Sequence, residues 1–244
     1  MRPIRRGHVP QGADDMDYKD AKPHLVARLG LYCSFCERRV VTQLAVEHIQ
    51  PKGLPIYSHL IGCWSNFLLA CVNCNSTKKN RDVDPESVLL PDRDNTFSAF
   101  HYLPDGTIVP SGHAVSRGLQ AIADKTLHLT GLDKTALNTP DENGRQVALD
   151  RMKQRMEAWL AAEEAKNELQ RSPENGELQR YIVKLAVQTG FFSVWMTVFM
   201  DHSDMLSRFI RAFTGTWESG CFGVDGLAVS PAPNPDGLPG GGKI

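Results

Sequence analysis

Cys33-Ser34-Phe35-Cys36, Val46-Glu47-His48-Ile49-Gln50-Pro51-Lys52, Trp64-Ser65-Asn66 and Cys71-Val72-Asn73-Cys74-Asn75-Ser76-Thr77-Lys78-Lys79 follow one another within residues 33–79. Two CxxC pairs with 34 residues between them bracket an acid–histidine pair and two asparagines. A CxxC turn sets two thiolates on one side of a tight loop, and two such turns make a closed tetrahedral S₄ site. Thiolates are soft ligands that suit zinc, and a site with four protein ligands has no open position, so it is structural. Cys33, Cys36, Cys71 and Cys74 are therefore expected to hold Zn²⁺. The competing readings are four buried free thiols or a redox CxxC, but a redox CxxC normally comes singly in a thioredoxin-like setting.

The insert between the knuckles carries the chemistry. Glu47 and His48 are adjacent, so on a strand they face opposite sides, and one can meet a metal while the other meets a water. Asn75 directly follows the last knuckle cysteine, which would fix its position. A carboxylate and an amide oxygen are hard donors suited to Mg²⁺ or Mn²⁺. Taken singly, the histidine reads as a surface or core residue and the asparagine as a cap; their spacing between two knuckles favours an active site.

These motifs resemble an HNH (ββα-metal) endonuclease with zinc knuckles, with His48, Asn66 and Asn75 at the three signature positions. The chain is most similar to the HNH subunit of Septu-type anti-phage systems, including those attached to retrons (PtuB-like). That wider likeness rests on Met1-Arg2-Pro3-Ile4, on YCSFCE at 32–37 and on FLLACVNCNSTK at 67–78. It continues in PDRDNTF at 91–97 and GFFSVWMTVF at 190–199, and so spans roughly residues 1–223. The resemblance implies metal-dependent hydrolysis of a phosphodiester. Glu47 and Asn75 would hold Mg²⁺ or Mn²⁺, His48 would be the general base, and Asn66 would orient the His48 loop. It also implies an ATPase partner that restrains the nuclease, and as substrate phage DNA, or a host nucleic acid in some retron-linked versions, with DNA favoured over RNA. Glu47 departs from the pattern of several such enzymes, which carry Asp or His before the base. The alternatives are a stand-alone HNH restriction endonuclease and a non-catalytic zinc-knuckle module for nucleic-acid binding or assembly.

At 244 residues the chain is long enough for one large domain or two small ones. With 41% apolar and 23% charged residues its balance is that of a soluble protein. A net charge of −1 excludes a polycation, so any nucleic-acid surface must be local. Residues 1–90 hold 12 Lys/Arg against 9 Asp/Glu, a net of +3. Lys78, Lys79, Arg81 and Lys52 are the candidate phosphate contacts, against the plain alternative of a solvated helix face. Cys63 and Cys221 read as reduced thiols. The absence of an apolar leader, and of any apolar run longer than Phe191–Met200, leads to the expectation of a cytoplasmic protein with no membrane partner.

The expected fold class is α+β: a zinc-knuckle ββα-metal core and a C-terminal helical lobe. Residues 1–22 read as an extended arm, docked in part, in which Arg2, Arg5, Arg6 and His8 either touch phosphate or form an ordinary terminus. Residues 23–113 are the nuclease core. It comprises a short helix at 23–30, a strand at Val40–Val46, an irregular loop at 49–63, a return through Asn66–Ala70 and a helix at Cys74–Asn80. A hairpin follows, Phe97–Leu103 with Thr107–Val109, around Asp105-Gly106. His59 and His101 are further histidines with nothing to place them in the site. Residues 114–223 form the lobe, with helices at about Arg145–Gln170, Glu177–Gln188 and Phe192–Ala212. Phe191–Met200 is either core or a partner-docking face. Residues 224–244, rich in Pro and Gly, are expected to be a disordered tail.

Overall fold

The computed structural model describes residues 1–11, 17–134 and 151–244. It is a mixed α+β structure with two small antiparallel sheets and a four-cysteine cluster. Helix α1 (Ala21–Leu29) buries Ala21, Leu25 and Leu29, which repeat every turn, and ends at Gly30. The first knuckle follows as a tight turn: the Cys33 N–H donates to the Arg38 carbonyl (3.0 Å) and the Glu37 N–H to the Cys33 carbonyl (2.9 Å).

Strand β1 (Ala45–His48) pairs with β2 (Phe67–Ala70), Ala45 opposite Ala70 and His48 opposite Phe67. β1 is shorter than the β-branched run suggested, and it begins later. Gln43 sits at φ 60°, which breaks the extended path, and Val41 is exposed. β2 is buried along its whole length, and α1 packs on it. Its Leu69 accepts the Ser34 N–H (2.7 Å) and donates to Ser34 Oγ (3.2 Å), which ties the first knuckle to the sheet. Helix α2 (Val72–Lys78) starts as soon as β2 ends, with Cys71 as its N-cap. The second knuckle is thus the first turn of α2.

Helix α3 (Thr96–Ala99) replaces the first part of the expected second hairpin. Asn95 accepts the Ser98 N–H and caps a helical turn there. The hairpin itself is β3 (Phe100–Tyr102) against β4 (Ile108–Pro110). Helices α4 (Gly112–Ser116) and α5 (Gln120–Thr130) follow. Helix α6 is described over Arg151–Arg171; the expected start near Arg145 lies outside the described residues. Helix α7 (Gly176–Thr189) is capped by Asn175.

The single helix expected at Phe192–Ala212 is two, α8 (Phe192–Val198) and α9 (Ser203–Ala212). The polar corner Asp201-His202 lets the chain turn, with the Lys166 ammonium 2.6 Å from Asp201. The turn folds Phe209 back onto Trp195 and Phe199, with ring centroids 5.8 and 5.3 Å apart. A straight helix could not bury both faces in this way. Phe191 to Phe199 are consequently core, with Phe192, Trp195 and Phe199 fully buried, and the docking-face reading of this run is replaced.

One apolar cluster extends from Met1 through the knuckles and both hairpins to α9 and Ile244. Two expectations fall with it. The N-terminal arm is a strut and not a solvated cationic tail. Arg2 donates to the carbonyls of Thr214 and Leu29 (both 2.6 Å), and Arg6 donates to the Phe67 and Ser65 carbonyls and pairs with Asp92. Arg5 pairs with Asp236 (2.8 Å). Residues 224–244 are docked and not disordered. The Lys243 N–H donates to Asp94 (3.0 Å), the Gly242 N–H to the Arg93 carbonyl (2.8 Å), and the Ile244 carbonyl accepts from Asn95 and Ala232. Removing Lys243 and Ile244 leaves Asp94 buried without its 3.0 Å partner and exposes a fully buried side-chain site. We expect a loss of about 3–5 kcal/mol in urea unfolding, the usual cost of breaking a buried pair; an unchanged midpoint would contradict the docking. No helix among the described residues is long and apolar enough to cross a membrane.

Candidate functional site

The four sulfurs of Cys33, Cys36, Cys71 and Cys74 lie within 4.8 Å of one another, and all four residues are buried. Cys36 and Cys71 are 3.7 Å apart. A tetrahedron with Zn–S bonds of about 2.3 Å has sulfur–sulfur edges of about 3.8 Å, so the cluster has the dimensions to bind a metal such as zinc. None of the six cysteines is in a disulfide. Burial holds the Cys33 thiol well above the usual range, and hydrogen bonding with Cys33 pushes Cys74 up while drawing Cys36 and Cys71 down. Held as thiolates, four sulfurs this close would repel one another unless a cation lay between them.

Two arginines supply charge around the cluster, and neither is evident from the motif. Arg151 donates to Cys74 Sγ (3.2 Å) and to the carbonyls of Thr130 (2.9 Å) and Gly131 (2.6 Å). Gly131, at φ 64°, packs so closely on Thr77 and Arg151 that a Cβ would fall 2.8 Å from Thr77. Arg38 donates to Asn73 Oδ1 (3.1 Å). Burial works against both guanidinium charges, but the nearby sulfurs outweigh it and hold both above their ordinary value. The helical segments also reach the first knuckle through Glu37: its carbonyl accepts the Phe191 N–H (3.0 Å) and its carboxylate accepts from Ser193 (2.7 Å) and Tyr102 (2.7 Å). Cys63 and Cys221 lie outside the cluster; burial pushes the Cys221 thiol up to about 11.

The second centre is a pocket of about 160 Å³ over the end of β1 and the first turns of α2. It is lined by Val46, Glu47, His48, Pro51, Lys52, Asn75, Lys79 and Asn80. Of the residues singled out in the sequence, it thus unites Glu47, His48, Asn75, Lys52 and Lys79. Asn66 lies beneath it. Its amide donates to the carbonyls of Gln50 (3.0 Å) and Leu60 (3.3 Å) and accepts the Gln50 N–H (2.8 Å), clamping both ends of the 50–60 loop. Arg81 is not in the pocket; it is exposed and donates to the His128 carbonyl (3.2 Å). His59 and His101 are exposed and do not line it.

His48 is held on three sides. Its ring stands edge-on to Phe67 and to Tyr18, each with centroids 5.1 Å away, and Nε2 is 3.0 Å from the Ile61 carbonyl. A carbonyl only accepts, so Nε2 must carry the proton and Nδ1 keeps its lone pair in the neutral ring. Burial lowers the His48 pKa, with Lys52 and Lys78 adding to the shift against the opposing Ile61 bond. Tyr18 was not foreseen. It covers one side of the ring and receives Lys52, whose ammonium donates to the Tyr18 hydroxyl (2.8 Å) and lies 4.1 Å from its ring. The only local hint is an aromatic residue in the charged stretch Asp17-Tyr18-Lys19-Asp20.

Lys78 overturns its assignment as a phosphate contact. It is 1% exposed, its ammonium is 2.7 Å from Glu47 Oε1, and it donates to the His48 carbonyl (2.8 Å). The reason is helical phase: Lys78 is one turn beyond Cys74 and shares its buried face. Burial raises the Glu47 pKa, and Lys78 opposes that shift. No family model matches the chain, and no curated protein matches it.

Proposed function

We propose that this chain is an HNH-type endonuclease that hydrolyses nucleic-acid phosphodiester bonds. In this reading it is the effector of a bacterial anti-phage system that works with an ATPase partner. The observation that carries the nuclease reading is the fixed neutral tautomer of His48 in a pocket shared with Glu47 and Asn75. Those three residues stand on a strand–loop–strand–helix frame, β1 to α2, braced by the cysteine cluster. The defence setting and the ATPase rest on the resemblance of residues 1–223 alone.

The donor set fits a hard cation. The Glu47 carboxylate and the Asn75 amide oxygen would hold Mg²⁺ or Mn²⁺, which when bound supplies charge stabilisation to the phosphate and the leaving oxygen. Zn²⁺ at the four cysteines is structural in this scheme. His48 Nδ1 takes a proton from the attacking water, and the Ile61 carbonyl keeps the ring in position as it becomes cationic. Asn66 holds the loop that presents that carbonyl. Lys52 and Lys79 give the pocket the positive potential that attracts a phosphodiester.

The test is incubation of the zinc-loaded chain with plasmid DNA and with total RNA, in Mg²⁺, Mn²⁺ or EDTA, with and without any ATPase encoded beside it. Metal-dependent cutting of DNA is expected. Silence in every arm, ATPase included, would overturn the proposal. One observation favours a second reading, a non-catalytic nucleic-acid module: Lys78 occupies the carboxylate that the metal needs. Binding of nucleic acid without any cutting would decide for it.

A further inference from the structure

We infer that Lys78 is a built-in counter-ion that competes with the divalent metal for Glu47. The inference rests on the assignment of Glu47 as a metal ligand but does not require that the chain cut anything. Its basis is an ion pair in the floor of the pocket, between residues 1% and 5% exposed at their side chains.

Three features make this pair different from an incidental surface contact. First, the lysine has no freedom to leave cheaply. Cys74 anchors α2 in the cysteine cluster one turn earlier, so the stem of Lys78 starts from a fixed point and its ammonium meets two acceptors, Glu47 Oε1 and the His48 carbonyl. Second, among the described residues Glu47 is the one carboxylate that lines this pocket. With Lys78 paired to it, the two charges cancel, and the remaining charged lining among the described residues is Lys52 and Lys79. These residues give the pocket at rest a net positive charge. It attracts a phosphodiester and repels a dication. Third, parting the pair would leave the Glu47 carboxylate buried without a counter-charge, so the pair is the resting state and not one of many rotamers.

The consequence is an order of binding. The bare protein binds Mg²⁺ or Mn²⁺ weakly at Glu47. A phosphodiester brings the negative charge that offsets Lys78, Lys52 and Lys79, and metal affinity rises with it. The ion is thus recruited with the nucleic acid, which limits metal-loaded but empty enzyme.

The experiment is a Mn²⁺ titration of the zinc-loaded chain, read by the electron paramagnetic resonance of free Mn²⁺. It compares the parent, Lys78→Met, Lys78→Arg and Glu47→Gln, with zinc content and circular dichroism confirming each fold. Lys78→Met keeps the volume and removes the charge; it should bind Mn²⁺ roughly ten-fold tighter or more, because one close positive charge is gone. Lys78→Arg should bind as weakly as the parent, and Glu47→Gln should bind none at this site. Unchanged or weaker binding by Lys78→Met would overturn the inference. If Lys78→Met fails to fold, the parent decides: micromolar Mn²⁺ binding without nucleic acid, abolished by Glu47→Gln, would overturn it, and tighter binding on adding a non-cleavable oligonucleotide would support it. Loss of the nuclease reading shows separately, as absent cutting with these metal affinities intact.

Discussion

Cys74→Ser is expected to abolish cooperative folding of the whole chain near ambient temperature, and chelation of zinc is expected to do the same. The cluster joins the turn before β1 to the start of α2, beside the Ser34–Leu69 hydrogen bonds that also link them. Cys33 and Cys36 belong to the turn closed between Cys33 and Arg38, Cys71 caps α2 and Cys74 lies within it. Arg151, from the start of the described part of α6, donates to Cys74 Sγ. Losing this sulfur removes one of the four positions that could hold a metal, and a partner for a guanidinium that is itself 4% exposed. Binding of structural zinc contributes apparent free energies of about 10–16 kcal/mol in small zinc domains, comparable to or larger than the whole stability of a typical fold, about 5–15 kcal/mol. Thermal melts by far-ultraviolet circular dichroism, with zinc content measured in parallel, check this. Cys63→Ser, outside the cluster, should melt as the parent does. A zinc-free parent and a Cys74→Ser protein with the same melting transition would mean that the four sulfurs are only a packed apolar group.

Where local spacing sets the structure, the sequence was a sufficient guide. Two CxxC turns bring their thiols together because each turn is closed by its own backbone hydrogen bonds, and a strand does lead into Glu47-His48, though it covers Ala45–His48 and not Val40–Val46. Lys78 could also have been assigned correctly from spacing: a residue four beyond a buried Cys74 on a helix must point inward, whatever its charge. Arg2 and Arg6 were not legible. Their partners are carbonyls of Leu29, Ser65, Phe67 and Thr214, and no local pattern in residues 1–10 points to them. The docked tail was missed for a related reason. Proline and glycine content argues against an independent core, but residues 224–244 make none of their own. They fill a groove beside Asp94 and Asn95, with Asn95 donating to the carbonyls of Cys221 and Val229. The break between α8 and α9 was hidden because the apolar run on one side and the amphipathic period on the other both read as helix. What decides the corner is the chance for Phe209 to pack against Trp195 and Phe199, a contact set by packing and not by periodicity.

His48→Ala is expected to lower the cleavage rate roughly 10³-fold, the middle of the range for removing a general base, while leaving the fold and zinc content intact. The ring is 6% exposed and sits at the end of β1, so truncation opens a small space between Phe67 and Tyr18 without touching the cluster. His48 must be neutral to accept a proton. Burial favours the neutral ring and moves its pKa below the ordinary imidazole value of about 6.5. Activity should then be at its plateau at neutral pH and should fall only as pH drops through that lowered pKa. A pH–rate profile under single-turnover conditions checks the sign: an acid limb above the ordinary value would mean that the protonated ring is the resting form and that another group is the base. Asn66→Ala offers the complementary comparison. It leaves the imidazole in place but frees the loop that carries the Ile61 carbonyl, so the tautomer is no longer enforced. The rate should fall by less than in His48→Ala, because the base is retained but disordered. Equal losses in the two variants would show that the orientation of the ring contributes as much as its basicity.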